Sequence, residues 1–249
     1  MAGLPAVAVD QSAVVVRGNF NPAIFSWNWL LDQDLVSAAQ EDTFSTELIT
    51  ADVTIFINGS VRCQVTRDTF QVETSDIGEI ERLRDFTVGV FRKLAHTPVS
   101  ALGINRSVHI PVDSMEIFHA IGDAILPKNF WSSFLRSPGM RTSIVLGLRP
   151  DTYAGYVQVG VEPSYTVPRA VYISHNDHFG LKIGAEISGR DDPLFLTQHQ
   201  AVEPSAKNVE IALNILAEEW NQSIARAHDA IERVWLMANQ SSPQGQERD

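Results

Sequence analysis

Val53-Thr54-Ile55-Phe56-Ile57-Asn58-Gly59-Ser60-Val61-Arg62-Cys63-Gln64-Val65-Thr66 reads as two short strands joined at Asn58-Gly59. β-Branched and aromatic residues alternate with polar ones on both sides of that pair, and Asn-Gly readily supplies the positive φ angles of a tight hairpin. An antiparallel sheet follows. Thr46 to Thr50 and Thr69 to Glu73 extend it on either side as further short strands. Upstream, Ala13-Val14-Val15-Val16 is a buried strand that ends at Gly18-Asn19, and Asn21 with Pro22 opens a helix from Ala23 to Leu31. Downstream, Asp76 to Ala95 carries Ile80, Leu83, Thr87, Val90, Phe91 and Leu94 on one face, an amphipathic helix suited to cover the sheet. Pro98 stops it.

The order then recurs. Val99 to Val112 is a strand, Asp113 with Glu116 forms a capping-box-like helix start, and Met115, Phe118, Ile121 and Ile125 make a buried stripe. A short helix over Asn129 to Leu135 carries Phe130, Trp131 and Phe134. Thr142 to Leu148, Gly155 to Val161 and Arg169 to Ser174 form a second group of strands. Gly184 to Pro204 reads as a loop with room for one added strand. From Ser205 to Ala238, Val209, Leu213, Leu216, Trp220, Ile224, Ala227, Ile231 and Val234 step by threes and fours along one helix. The expected fold is α+β. Two β-α-β(3-4)-α halves, 1–97 and 98–238, share one curved, mostly antiparallel sheet backed by two long helices, and 239–249 forms a frayed tail.

Composition narrows the function. The 249 residues are 44% hydrophobic and 20% charged, the balance of a globular protein with a substantial core. Thirty acidic side chains against 19 basic ones leave a net charge of −11, which opposes loose attraction to a phosphate backbone. Only Lys93, Lys128, Lys182 and Lys207 are lysines, so the basic residues are mostly arginines, which suit bidentate pairing with carboxylates. Cys63 is the sole cysteine, so neither an internal disulfide nor a cysteine pair for zinc is available. Met1 to Val9 is short, lacks a basic start and meets Asp10, which does not read as a signal peptide. No run of about 18 apolar residues suggests a membrane span. A cytoplasmic location without membrane association is expected.

The densest group of metal-capable side chains is Ser174-His175-Asn176-Asp177-His178, which His119, His199 or Glu162 could join through the fold. In an extended segment His175 and Asp177 share one face while His178 takes the other, so one metal ion reaches both imidazoles only if the strand has ended or bulged. The competing reading is a strand-end turn in which Asn and Asp bond the local backbone. Cys63 alternates with Val61 and Val65 and reads as a core residue. Gly103-Ile104-Asn105-Arg106 brings unusually polar residues to a central strand, and Arg106, with Arg141 and Arg149, could line a polar face that accepts a carboxylate-bearing partner. The other reading of these arginines is internal ion pairing. No phosphate loop, strand-elbow serine or zinc-protease helix occurs.

The stretch Val53 to Cys63, followed by a helix to His96 and a new strand, resembles the strand, Gly turn, strand, long helix order in each repeat of the TATA-box-binding protein, a saddle made of two such repeats. The wedge phenylalanines and groove-reading residues of that family do not align, so the resemblance implies a topology and no DNA-binding position. Leu102 to Arg106 with the helix Ala206 to Trp235 is also similar to sporadically distributed bacterial proteins associated with mobile or phage-defence gene sets. The expected role is a non-catalytic adaptor or assembly subunit, without cofactor or metal, that binds another protein or itself as a homodimer. The alternative is a metal-dependent hydrolase or nuclease built on His175, Asp177 and His178. A third reading, nucleic-acid binding through an Arg patch, would show steep salt dependence.

Overall fold

The chain is α+β, and its strands form one nine-stranded sheet in the order β2-β3-β4-β5-β1-β6-β9-β8-β7. The computed structural model describes residues 6–181 and 202–240. In chain order the elements are β1 (Val9–Gly18), α1 (Trp27–Asp32), β2 (Phe44–Ile49), β3 (Val53–Asn58), β4 (Val61–Thr66), β5 (Thr69–Thr74), α2 (Ile80–Lys93) and β6 (Val99–Pro111). Then follow α3 (Met115–Ile125), β7 (Ser143–Leu148), β8 (Gly155–Pro163), β9 (Ala170–Gly180), α4 (Asn208–Glu218) and α5 (Trp220–Gln240). Every strand pairing is antiparallel, and β1 lies against β6 at the centre, with Val9 opposite His109 and Val16 opposite Leu102.

Alternation decides which face is covered. Val14 and Val16 of β1, Cys63 and Val65 of β4, Phe70 and Val72 of β5, and Leu102 and Ile104 of β6 are buried, while their sequence neighbours, Gly103 apart, are more exposed. These side chains meet Leu83, Val90 and Phe91 of α2 and Val209, Ile215, Leu216 and Trp220 of α4 and α5 in one apolar cluster. A second cluster joins Val108 and Ile110 of β6, Ile121 of α3, Val161 of β8, Ile173 of β9, and Ile231 and Val234 of α5. The open face carries polar residues such as Gln64, Gln71 and Asn105.

Several local readings change on contact with the structure. The β3–β4 turn is centred on Gly59-Ser60, because Asn58 already pairs with Val61; of the two central residues only Gly59 has positive φ, at 63°. That is the pattern of the turn type with Gly at its first central position. The helix expected over Ala23 to Leu31 divides into a 3-10 turn, Pro22–Ile24, and α1, because the Ser26 hydroxyl accepts from the Trp29 N–H and caps a fresh start. Thr54 Oγ1 holds the turn by donating to the Pro22 carbonyl at 2.8 Å. Ser114, rather than Asp113, caps α3, and the Asn129 to Leu135 segment keeps only the 3-10 turn Trp131–Ser133.

Two differences bear on function. The single long helix expected from Ser205 divides at Glu219, between α4 and α5. There the buried Trp220 indole is anchored to Glu81 of α2 at 3.0 Å, and Glu219 turns its carboxylate to Arg226. The second change lengthens β9. It runs on to Gly180 instead of ending at Ser174, because β6 and β8 supply a complete ladder on both sides through the polar segment. The loop expected over Gly184 to Pro204 falls almost wholly outside the described residues, as do His199 and the tail from 241.

Candidate functional site

Because β9 is continuous, Ser174 to His178 lies mid-sheet and not at a strand-end turn. His175 and Asp177 share the buried face of Ile173 and Phe179 and point to the helices, whereas Asn176 and His178 face the other side. On the helix side Asp177 is fully buried and both its oxygens are occupied. Oδ1 accepts from Arg149, and Oδ2 accepts from Ser223 at 2.7 Å and from Arg226 at 2.6 and 3.0 Å. Arg149 also grips Asp151 through two bonds of 3.0 and 2.5 Å and lies 3.5 Å over the Phe179 ring. Arg226 reaches Glu219 at 3.3 Å. Burial by itself would lower the Arg226 pKa, but the hydrogen bonds and attraction from Asp177 raise it.

Farther along, Arg106 forms a bidentate pair with Asp10 at 3.0 and 2.7 Å and stands opposite His175 across the β6–β9 ladder. These groups make a polar seam between the two apolar clusters. Ile104 belongs to one cluster and Val108 to the other, with Arg106 between them; Phe179 and Ile173 flank Asp177 and His175 in the same way. Burial holds the His175 imidazole down at about 4, against the opposing pull of Asp177, and its Nδ1 accepts or donates no hydrogen bond within the protein. His178 is likewise pushed to about 4 by burial, and it stacks on Tyr156 with ring centroids 4.5 Å apart.

The seam has the form of a structural pin. Asp177 has no free oxygen to act as a base, and the two imidazoles on opposite faces cannot share one ion. Among the described residues no group of three or more His, Cys, Asp or Glu side chains is arranged to hold a metal. Arg106 and Arg149 are buried in ion pairs on the helix side, whereas Arg141 is exposed just before β7; the three do not meet on one face. Asp10, Asp151, Glu219, Ser223 and Arg226 are members of the seam that sequence reading passed over. Ser223 carried one signal, since it falls on the buried stripe between Trp220 and Ala227 where an apolar residue is expected, and Arg226 flanks that stripe half-buried.

The open face offers a depression of about 270 Å³ lined by Gln11, Gln71, Asn105, Gln158, Ser174 and Asn176. Its one carboxylate, Glu73, is held by Arg62 and Gln71. Arg106 and His175 also border it, and the Asn105 and Asn176 side-chain oxygens there, like His175 Nδ1, have no hydrogen-bond partner within the protein.

The edge of the sheet is different. β7 is the terminal strand, and among the described residues nothing pairs with its outer side. Its sequence, Ser143-Ile144-Val145-Leu146-Gly147-Leu148, contains no charge and no proline, and Ile144, Val145 and Leu148 are 57%, 60% and 37% exposed. Edge strands are normally guarded by charges, bulges or proline. The opposite edge, β2, follows that rule: a register shift at Thr46/Leu48 leaves Glu47 over, and Glu47 pairs with Arg62 at 3.5 Å. The chain leading into β7 adds Phe130 and Phe134, 69% and 60% exposed and in edge contact with each other, together with the exposed Leu135. No protein-family model matches this chain, and no curated protein matches its sequence.

Proposed function

We propose that this chain is a non-catalytic protein-interaction or assembly subunit that docks through the β7 edge and the aromatic turn before it. The carrying observation is the unguarded strand: six uncharged residues, Ile144 and Val145 among them well exposed, stand at the end of a large sheet whose other edge is bulged and charged. An open strand edge offers unpaired N–H and C=O groups to another chain, and exposed aromatics supply the apolar anchor that such interfaces use. The reading includes the two halves, 1–97 and 98–238, as tandem modules of saddle-like topology that meet at the β1–β6 pair. In its support, β5 and β9 flank that pair, and a helix connects β1 to β2 and β6 to β7. A cytoplasmic role in a bacterial multi-protein system, including a defence-linked one, belongs to the same proposal.

The test is the mass of the full chain, purified gently from cells that express it and measured by light scattering. The wild type is expected above its chain mass of 27.5 kDa, and Val145→Lys should return it to that value with unchanged circular dichroism. Val145 is well exposed, so lysine there should cost the folded monomer no more than about 0.5 kcal/mol. A wild type found alone at its chain mass, or an assembly indifferent to the substitution, would refute the reading.

A further inference from the structure

We propose that the depression on the open face of the sheet is a binding site for a small neutral polyhydroxyl ligand, a molecule of the monosaccharide class. It centres on β6 and β9, two strands in from the β7 edge, and is independent of docking there. One cross-strand row passes through its middle: Glu73 of β5, Ala13 of β1, Asn105 of β6, Asn176 of β9 and Gln158 of β8 are successive neighbours in the ladders. The next row places Gln11, Ser107 and Ser174 side by side on β1, β6 and β9. Short side chains at Ala13, Ser107 and Ser174 form the floor, and the longer amides with Tyr172 stand around it, which leaves the room of about 270 Å³.

These polar groups have no task inside the protein. Among the described residues the side chains of Gln11, Asn105, Ser107, Gln158, Ser174 and Asn176 form no hydrogen bond, whereas the charged groups of the seam on the opposite face are tied to one another. The Asn105 and Asn176 oxygens are buried as well, and both lean over Gly103, where an added Cβ would stand 3.4 Å from one and 3.6 Å from the other. Asn is a poor strand former, and a buried acceptor without a donor is destabilising, so two such residues facing each other in central strands cost stability and receive no internal bond in return. Local rules broken without internal compensation mark functional positions. Since no bond fixes them, the two carboxamides can turn about their Cβ–Cγ bonds and bring their oxygens to a ligand without losing a partner.

Charge decides the class of ligand. Glu73 is taken up by Arg62 at 3.2 Å and Gln71 at 2.7 Å, and the Arg106 guanidinium lies on the helix side with Asp10. An ionised ligand, a phosphate included, would give up its water in the depression and meet no free opposite charge. A neutral ligand with many hydrogen-bonding groups meets no such penalty. Each carboxamide presents a donor and an acceptor side by side, as a pair of neighbouring hydroxyls does, and Asn105, Asn176 and Gln158 repeat that pattern along one row. A sugar ring offers successive hydroxyls to match it.

Saturation-transfer NMR on the full chain tests the site with D-glucose, D-galactose, D-ribose and N-acetyl-D-glucosamine as neutral probes, and with glucuronate and glucosamine as their charged counterparts. At least one neutral sugar should bind, about ten-fold or more tighter than either charged one. Asn105→Leu and Asn176→Leu should each weaken that binding about ten-fold or more, because a sugar hydroxyl is then left without its partner. Neither substitution removes a bond made within the protein, so thermal unfolding should show both variants at least as stable as the wild type. Should one of them fail to fold, Gln158→Leu interrogates the same row from β8 and must weaken binding in its place. Val145→Lys, on the helix-side face of the edge strand, should leave sugar binding unchanged, so that loss of docking and loss of this site are read separately. Binding by none of the four neutral sugars, binding that survives all three leucine substitutions, or equal binding of the charged sugars would overturn the proposal.

Discussion

Replacing Asp177 by Asn tests the seam most directly. The substitution keeps the shape and removes the charge that three side chains share: Arg149, whose side chain is 1% exposed, Arg226 at 20%, and the buried Ser223. Breaking a buried ion pair from one side typically costs about 3 to 5 kcal/mol, because the remaining charge keeps its desolvation penalty and loses its compensation. Two features place Asp177→Asn near the lower figure. Arg149 still holds Asp151 through two bonds, and Arg226 still reaches Glu219. The expected loss is about 3 kcal/mol, a large part of the 5 to 15 kcal/mol that stabilises a typical domain. Urea unfolding at pH 7, followed by tryptophan fluorescence and by circular dichroism, measures it; the slope with denaturant should stay constant while the midpoint falls. Ser223→Ala, which removes one hydrogen bond to the same carboxylate, should cost about 1 kcal/mol. If Asp177→Asn costs less than Ser223→Ala, the carboxylate is not the centre of the network.

Acid should weaken the fold before the carboxylates titrate. His175 and His178 sit at about 4 in the folded chain and near 6.5 when unfolded, so the unfolded state binds the extra protons. Their depressed values leave stability intact above about pH 6.5 and withdraw it as pH falls toward 4, by up to about 1.4 kcal/mol per pH unit for each histidine. Denaturant midpoints between pH 7 and 5 check this, and His175→Gln should flatten the slope by roughly one proton. Gly155 holds φ at +127°, and an added Cβ would stand 2.0 Å from the His178 carbonyl oxygen. Gly155→Ala should therefore cost about 3 kcal/mol in the same unfolding assay, from positive φ and overpacking together; a change below 0.5 kcal/mol would contradict that backbone approach.

Where one force dominated, the sequence was readable. The hairpin strands Val53 to Thr66 and the apolar stripe of α2 follow from alternation and from threes-and-fours spacing, since each has one buried and one wet face. β9 reads as ending at Ser174 because His175, Asn176, Asp177 and His178 look like turn residues when local propensity alone is weighed. Their strand conformation depends on partners at Arg149, Ser223 and Arg226, 28, 46 and 49 residues away, which no local pattern reveals. The break at Glu219 was hidden for the same reason, as Trp220 is fixed by Glu81 on a distant helix. The β7 strand was legible as a strand, but not as an edge, because strand order is decided by pairings far along the chain.

The seam does more than fill space between two apolar clusters. In an antiparallel sheet a slip of one residue turns every side chain to the wrong face and is rejected by burial alone, but a slip of two preserves alternation. For β9 between β6 and β8, such a slip would keep the same alternate residues on the helix side, with Ile173 taking the place of Val171. It would also carry Asp177 away from Arg149 and Arg226, leaving its carboxylate buried without a partner and the two guanidinium groups with only Asp151 and Glu219, at a cost of several kcal/mol. The ion pairs thus reject the slipped registers that hydrophobic alternation tolerates. They also tie the β7–β8 turn, through Arg149 and Asp151, to β9 and α5. A terminal strand left without guarding charges needs that support: with β7 held in one register from the inside, its outer side presents a single fixed ladder to whatever pairs with it.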